Sequence, residues 1–162
     1  GDTAAVTITA TGLDEASRTK LLGLCRRMGC HMAPDFGAAV THVVVNAHFR
    51  DATNAGPAAV KYLMGVACGR WLVSAVWVED SLKAGALLAE EPYELRGDRK
   101  SLRPDGPRRS RLAWAAGQPP LFRGTRCTLV GRFDEGRRPS RESLTALLRA
   151  AGAELSDSLE AL

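Results

Sequence analysis

The chain begins with a short alternation, Val6-Thr7-Ile8-Thr9-Ala10, in which every second side chain is apolar. That spacing predicts a strand. Thr11-Gly12-Leu13 turns the chain. From about Asp14 to Met28 the period lengthens: Leu21, Leu24, Cys25 and Met28 stand three and four apart, one face of a helix, and Gly29 stops it. Thr41-His42-Val43-Val44-Val45 is β-branched and almost unbroken, the pattern of a strand buried on both faces. Residues 50–56 are polar loop. Pro57 can then open a second helix, because its missing N–H would be unpaired there anyway. Val60, Leu63, Met64, Ala67 and Cys68 continue as a helical stripe expected to be the buried one, closed by Gly69. Trp71-Leu72-Val73-Ser74 predicts a short strand, and residues 77–83 a third helix ending near Gly85. Strand, helix, strand, strand, helix, strand, helix is an α/β order. It implies a small four-stranded parallel sheet flanked by helices.

The second half of the chain repeats the first. Residues 21–32 align without gaps on residues 144–155, so that Leu21, Leu24, Arg26 and Gly29 recur as Leu144, Leu147, Arg149 and Gly152. Upstream, Leu13-Asp14-Glu15 pairs with Phe133-Asp134-Glu135, with three extra residues in the second copy. A strand is predicted at residues 126–130 and a helix at about 140–151. Because the sequence ends seven residues after Leu155, the second copy is expected to be partial. The division that follows is a first repeat over residues 4–95, a basic linker over 96–121 and the N-terminal part of a second repeat over 122–162.

Composition excludes disordered and collagen-like chains: 45% of the 162 residues are hydrophobic and 25% charged. The most apolar stretch, residues 59–78, is interrupted by Lys61, Gly65, Gly69 and Arg70, so no membrane partner is expected. Charge changes the picture more. Between Arg96 and Arg111 seven bases face only Asp98 and Asp105, a local +5 in a chain of net +4. The basic character therefore belongs to one Gly-, Pro- and Arg-rich segment, which reads as a solvated linker with a helical turn around residues 110–116. The other reading is a contact with chromatin or nucleic acid through residues 96–111.

Four cysteines, at 25, 30, 68 and 127, form no C-x-x-C pair, so no metal site is expected, and a reducing compartment fits them best. Cys30-His31 is too slight a motif for a thiol nucleophile, and no P-loop, carboxylate pair or triad is present. The chain is expected to be non-enzymatic and to need no cofactor. Trp71 and Trp77 read as core, His42 as a structural histidine.

Thr11-Gly12, Thr41-His42-Val43-Val44-Val45, Lys61-Tyr62-Leu63-Met64-Gly65, Gly69-Arg70-Trp71-Leu72-Val73-Ser74 and Trp77-Val78 together resemble a BRCT repeat. With the copy at 122–162, the protein is similar to tandem BRCT repeats of DNA-damage-response proteins, whose larger chains act within RING-type ubiquitin ligases. The resemblance implies a nuclear scaffold that binds phosphorylated proteins through phosphoserine motifs. It assigns phosphate binding to Thr11, Gly12 and Lys61, and part of a peptide cleft to Leu63. The residue types suit the task. A phosphoserine carries nearly two charges and three acceptor oxygens. A hydroxyl from Thr11, an amide from Gly12 at the mouth of the first helix, and the Lys61 ammonium would answer them. Two departures stand out. Ala58 occupies a position where such pairs use an Arg to hold the peptide backbone. The second wall of the cleft is expected at Gly136-Arg137-Arg138, which is not apolar. Phosphate recognition with weakened sequence selectivity is the expectation. In the second copy Gly131 and Arg132 match Thr11 and Gly12, so one phosphate site is expected.

Overall fold

The computed structural model describes residues 5–47, 59–97, 105–133 and 139–161. The alternating segment forms β1 (Thr7–Thr11), an inner strand of a four-stranded parallel sheet. Its order is β2 (His31–Met32), β1, β3 (His42–Val45), β4 (Trp71–Ser74). Register pairs Thr11 with Val45 and Val45 with Ser74, so three strands end level with one another.

β3 shows why its sequence is continuously apolar. Val44 joins Ile8, Val73 and Trp77 in a core cluster with Leu21 and Leu24 of α1 (Glu15–Met28) and Val78 of α3 (Ala75–Ala84). Val43 and Val45 point the other way, into a second cluster with Tyr62 of α2 (Val60–Ala67), Leu72 and Leu95. Alternation along an extended strand sends neighbours to opposite faces, and here both faces are covered. The helix ends follow sequence signals. The Asp14 carboxylate accepts the Ser17 N–H at 2.7 Å, and Gly29 ends α1 at φ 70°. Ser74 Oγ accepts the Val76 N–H at 3.1 Å to start α3.

α2 departs from expectation. The side that meets the sheet is centred on Tyr62, 2% exposed, and Gly65, with Leu63 and Val66 packed at its edge, rather than on the stripe of Val60, Leu63, Met64, Ala67 and Cys68. Gly65 lets the helix sit close: a Cβ there would lie 2.9 Å from Val43 Cγ2 and 3.1 Å from Leu72 Cδ1. Most of the predicted stripe instead turns toward later parts of the sequence. An apolar period shows which side of a helix is covered but not by what. Pro57, the expected helix opener, lies outside the described residues.

The linker also differs from a solvated segment. Just before it, Leu95 donates its N–H to Leu72 O at 2.8 Å and is fully buried, anchoring the linker's start. A helix, α4 (Gly106–Ala115), then packs on α2 and β4, longer and earlier than the turn predicted at 110–116. Ser110 Oγ donates to Val66 O. Arg111 makes two bonds to the Glu94 carboxylate, 2.8 and 3.0 Å, and lies 3.7 Å over the Trp71 ring. Arg70 sits over the Trp114 ring at 5.4 Å. These stacked and paired guanidiniums turn part of a basic run into packing.

In the second copy, β5 (Arg126–Cys127) pairs in parallel with β6 (Glu154–Leu155), and α5 (Arg141–Ala150) lies between them in sequence. Only the first two residues of the predicted 126–130 strand are β5. The pairing repeats β1 with β2: Thr7 opposes His31 as Arg126 opposes Glu154. Carried along the strands, that register matches Thr11 to Val130 and Gly12 to Gly131, one residue from the alignment read off the sequence. The hydroxyl is absent from the second copy in either alignment.

Candidate functional site

Thr11 is the last residue of β1, and its carbonyl accepts the Asn46 N–H at 3.2 Å. Gly12 follows at φ 71°, a left-handed conformation that costs other L-residues energy and suits glycine. Lys61 stands in the first turn of α2. Its ammonium donates to Ala10 O at 3.1 Å and to Pro34 O at 2.6 Å, so it reaches the residue beside Thr11. An ammonium has three N–H donors. Among the described residues two of them hold carbonyls, and one is left for a ligand.

Thr11, Gly12, Lys61 and Leu63 line one groove of about 790 Å³ between the end of β1, α2 and α5. The four residues singled out from sequence are thus brought to one surface. Arg18 of α1 adds a second cation to the groove, and Asp35 a carboxylate. The far wall is α5, which contributes Ser140, Leu144 and Leu147. The wall expected at residues 136–138 lies outside the described residues; among the described residues apolar lining comes from the Leu144/Leu147 pair three apart on α5. The internal repeat aligns these two with Leu21 and Leu24, core residues of the first copy. That equivalence was the available signal for apolar character, but not for a groove. Ala58 also lies outside the described residues.

Two helix starts border the groove. At the start of α1 the Asp14 side chain satisfies Ser17 N. α2 begins at Ala59. Among the described residues its first turn has no side-chain cap, and that turn carries Lys61.

The remaining candidates have structural roles. His42 Nε2 meets Glu90 Oε1 at 2.8 Å and Nδ1 meets Thr41 Oγ1 at 2.8 Å, with the ring stacked 5.2 Å from that of Trp77. Burial lowers its pKa, opposed by the Glu90 hydrogen bond and charge. Trp77 is fully buried and donates Nε1–H to Leu88 O at 2.9 Å. Trp71 is half-buried beneath Arg111. Burial pushes the Cys25 thiol up to about 11, with the neighbouring Cys30 adding to it, and burial also raises Cys30 and Cys68. That is the reverse of thiolate activation. Among the described residues no three His, Cys, Asp or Glu side chains cluster as metal ligands, and no helix is long and apolar enough to cross a membrane.

The sheet order and the helical cover on both faces are those of the BRCT fold. Among solved structures, the BRCT5-BRCT6 domains of S. pombe Brc1 superpose with a TM-score of 0.65 at 18% identity, over 93% of this chain and 65% of that one. No family model matches the sequence. By sequence, it is homologous to BRCA1-associated RING domain protein 1 of Arabidopsis thaliana: 30% identical over 145 residues, 90% of this chain and 19% of the relative. The human protein of that name is 29% identical over 145 residues, 90% of this chain and 16% of its own length. The mouse breast cancer type 1 susceptibility protein homolog is 31% identical over 123 residues, 75% of this chain and 6% of that protein. The chain thus spans less than a fifth of the length of these curated relatives.

Proposed function

We propose that this protein is a phosphoserine-peptide-binding module, non-catalytic itself, of a nuclear DNA-damage-response protein, with residues 4–95 and 122–162 as its two repeats and 96–121 between them. The observation that carries the reading is the convergence of Thr11, Gly12 and Lys61 on one groove. A hydroxyl, an unhindered backbone and a cation meet there beside the uncapped start of α2. The reading is in keeping with the relatives, which are named as breast cancer susceptibility proteins or a RING-domain associate of one. The groove runs on from the cation to Leu63, Leu144 and Leu147, which suits an apolar residue a few places after the phosphoserine.

The test is binding of a fluorescent phosphoserine peptide with an aromatic residue three places on, beside its unphosphorylated twin, by wild type and Lys61→Met. Phosphate-dependent binding that Lys61→Met lowers at least tenfold is expected. Equal binding of both peptides by a folded protein refutes the reading. A contact with nucleic acid through the linker would have to be made without Arg111, which is committed to Glu94 and Trp71.

A further inference from the structure

We propose that the hollow between α2, α4 and residues 118–121 is a second docking site, which takes an acidic linear segment of another protein anchored by one large apolar side chain. The hollow holds about 430 Å³, within the roughly 300–1,000 Å³ of ordinary ligand pockets. Val66 and Ala67 of α2, Trp114 of α4, and Pro120 and Leu121 of the linker's end line it. It shares no lining residue with the Lys61 groove, so the proposal does not rest on the phosphopeptide reading.

Two of its sides are fixed by close packing. A Cβ on Gly69 would overlap Trp114 Cβ and lie 2.8 Å from its Cγ, so the tryptophan sits directly on the glycine backbone. Arg70 stacks on the same ring at 5.4 Å, and Ser110 Oγ ties α4 to Val66 O. At the linker's end, a Cβ on Gly152 would lie 2.7 Å from Pro120 Cβ, and Phe122 donates its N–H to Ala151 O at 2.7 Å. Trp114 is nonetheless 42% exposed and Leu121 81%. A tryptophan that is pinned in place and still open to solvent offers apolar contact area at little ordering cost.

Charge selects the occupant. Among the described residues, most bases of the linker stand beside carboxylates. Arg111 holds Glu94, Arg96 lies 3.9 Å from Asp105, and Arg108 shares a separate hollow with Glu91, Glu94 and Asp105. Arg109 differs: it lines the Trp114 hollow and has no ion-pair partner among the described residues. No Asp or Glu among them lines the hollow. A ligand carboxylate would pair with the Arg109 guanidinium while the neighbouring apolar side chain covers Trp114 and Leu121. Nucleic acid fits less well, because its affinity is summed over several phosphate contacts and a single unpaired guanidinium faces this apolar surface.

The test uses the whole protein and a short fluorescent peptide of aspartates and glutamates around a central phenylalanine. One control peptide carries alanine for the phenylalanine, and another carries lysines for the acids. Binding of the acidic probe about tenfold tighter than either control is expected. Arg109→Glu and Leu121→Ser change exposed residues, so both variants should fold, and each should weaken the probe about tenfold. Arg109→Glu should also bind the lysine control better than wild type does, which a merely structural role would not produce. Of the indole N–H signals of Trp71, Trp77 and Trp114, that of Trp114 should shift most on titration. Equal binding of the three peptides, or binding indifferent to both substitutions, overturns the proposal. So does binding that Lys61→Met abolishes and Arg109→Glu leaves intact, which would place the probe in the other groove. A duplex oligonucleotide that displaces the probe as well as the unlabelled peptide does would assign the surface to nucleic acid instead. A dimer in sedimentation that Leu121→Ser dissolves would assign it to a second copy of the chain.

Discussion

Replacing Arg111 should unseat α4 from the first repeat. Its guanidinium holds the Glu94 carboxylate at two points, 2.8 and 3.0 Å, and covers Trp71 at 3.7 Å, with side-chain exposures of only 16% for Arg111 and 6% for Glu94. Hydrogen bonds to charged groups contribute about 1.5–3 kcal/mol, and a partly desolvated cation on an aromatic face about 0.5–2 kcal/mol. Arg111→Met keeps most of the aliphatic stem but loses both, and leaves Glu94 desolvated without its partner. The expected cost is about 3 kcal/mol, which for a protein of this size lowers Tm by about 6–12 °C. Arg111→Lys keeps the charge without the planar fork and should lose about half as much. Adding Glu94→Gln to Arg111→Met should restore at least 1 kcal/mol, because the stranded charge is gone. Urea denaturation followed by tryptophan emission reads all five proteins, Glu94→Gln alone included, since Trp71 and Trp114 flank the contact. The pair is shielded from solvent, so the loss should persist at high salt. A loss under 1 kcal/mol for Arg111→Met, or single and double variants that simply add, would refute the argument and return the segment to a solvated linker.

Gly65→Ala should destabilise the fold despite alanine's better helix propensity. The new Cβ would press at 2.9 Å on Val43, whose branched side chain has little freedom to move, so a net loss of about 1–2 kcal/mol is expected in denaturant titration. His42 is buried with its pKa lowered, so between about 6.5 and its folded value the unfolded state binds more protons. Stability should fall as pH drops through that window, and the slope should flatten in His42→Gln; identical slopes would show that His42 does not carry it. Asp14→Ala should cost about 1 kcal/mol through loss of the α1 cap, with no change at α5 by hydrogen exchange. For peptide selectivity, an aromatic three places after the phosphoserine should bind better than alanine there, and Leu147→Asp should erase the difference. Equal binding by wild type would restore the expectation of weakened selectivity.

Legibility from sequence followed the locality of the signals. α1 was readable at both ends because Asp14 and Gly29 act on backbone groups within a few residues. β3 was readable because being covered on both faces leaves no room for polar side chains. Thr11, Gly12 and Lys61 were reached through a family resemblance. Taken singly, a Thr-Gly turn and one lysine are ordinary, and nothing local shows that the Lys61 ammonium bridges Ala10 and Pro34. The direction of the α2 stripe was not readable, since Leu63 and Met64 look the same whether they meet a sheet or another helix. Arg111 was equally hidden. Its partners, Glu94 and Trp71, are brought to it by tertiary folding, and the surrounding charge made it look like one more solvated base.

Every position of α2 is engaged. Tyr62 and Gly65 meet the sheet, Lys61 ties two carbonyls, Val60, Leu63 and Met64 line the groove, and Val66 and Ala67 meet the side of α4. An eight-residue helix whose every position meets the sheet, α4 or the groove has little room for neutral variation. Sequence drift in this protein should therefore accumulate around α2, leaving an island of low tolerance that a saturation mutagenesis scan would map onto residues 60–67 without any structure in hand.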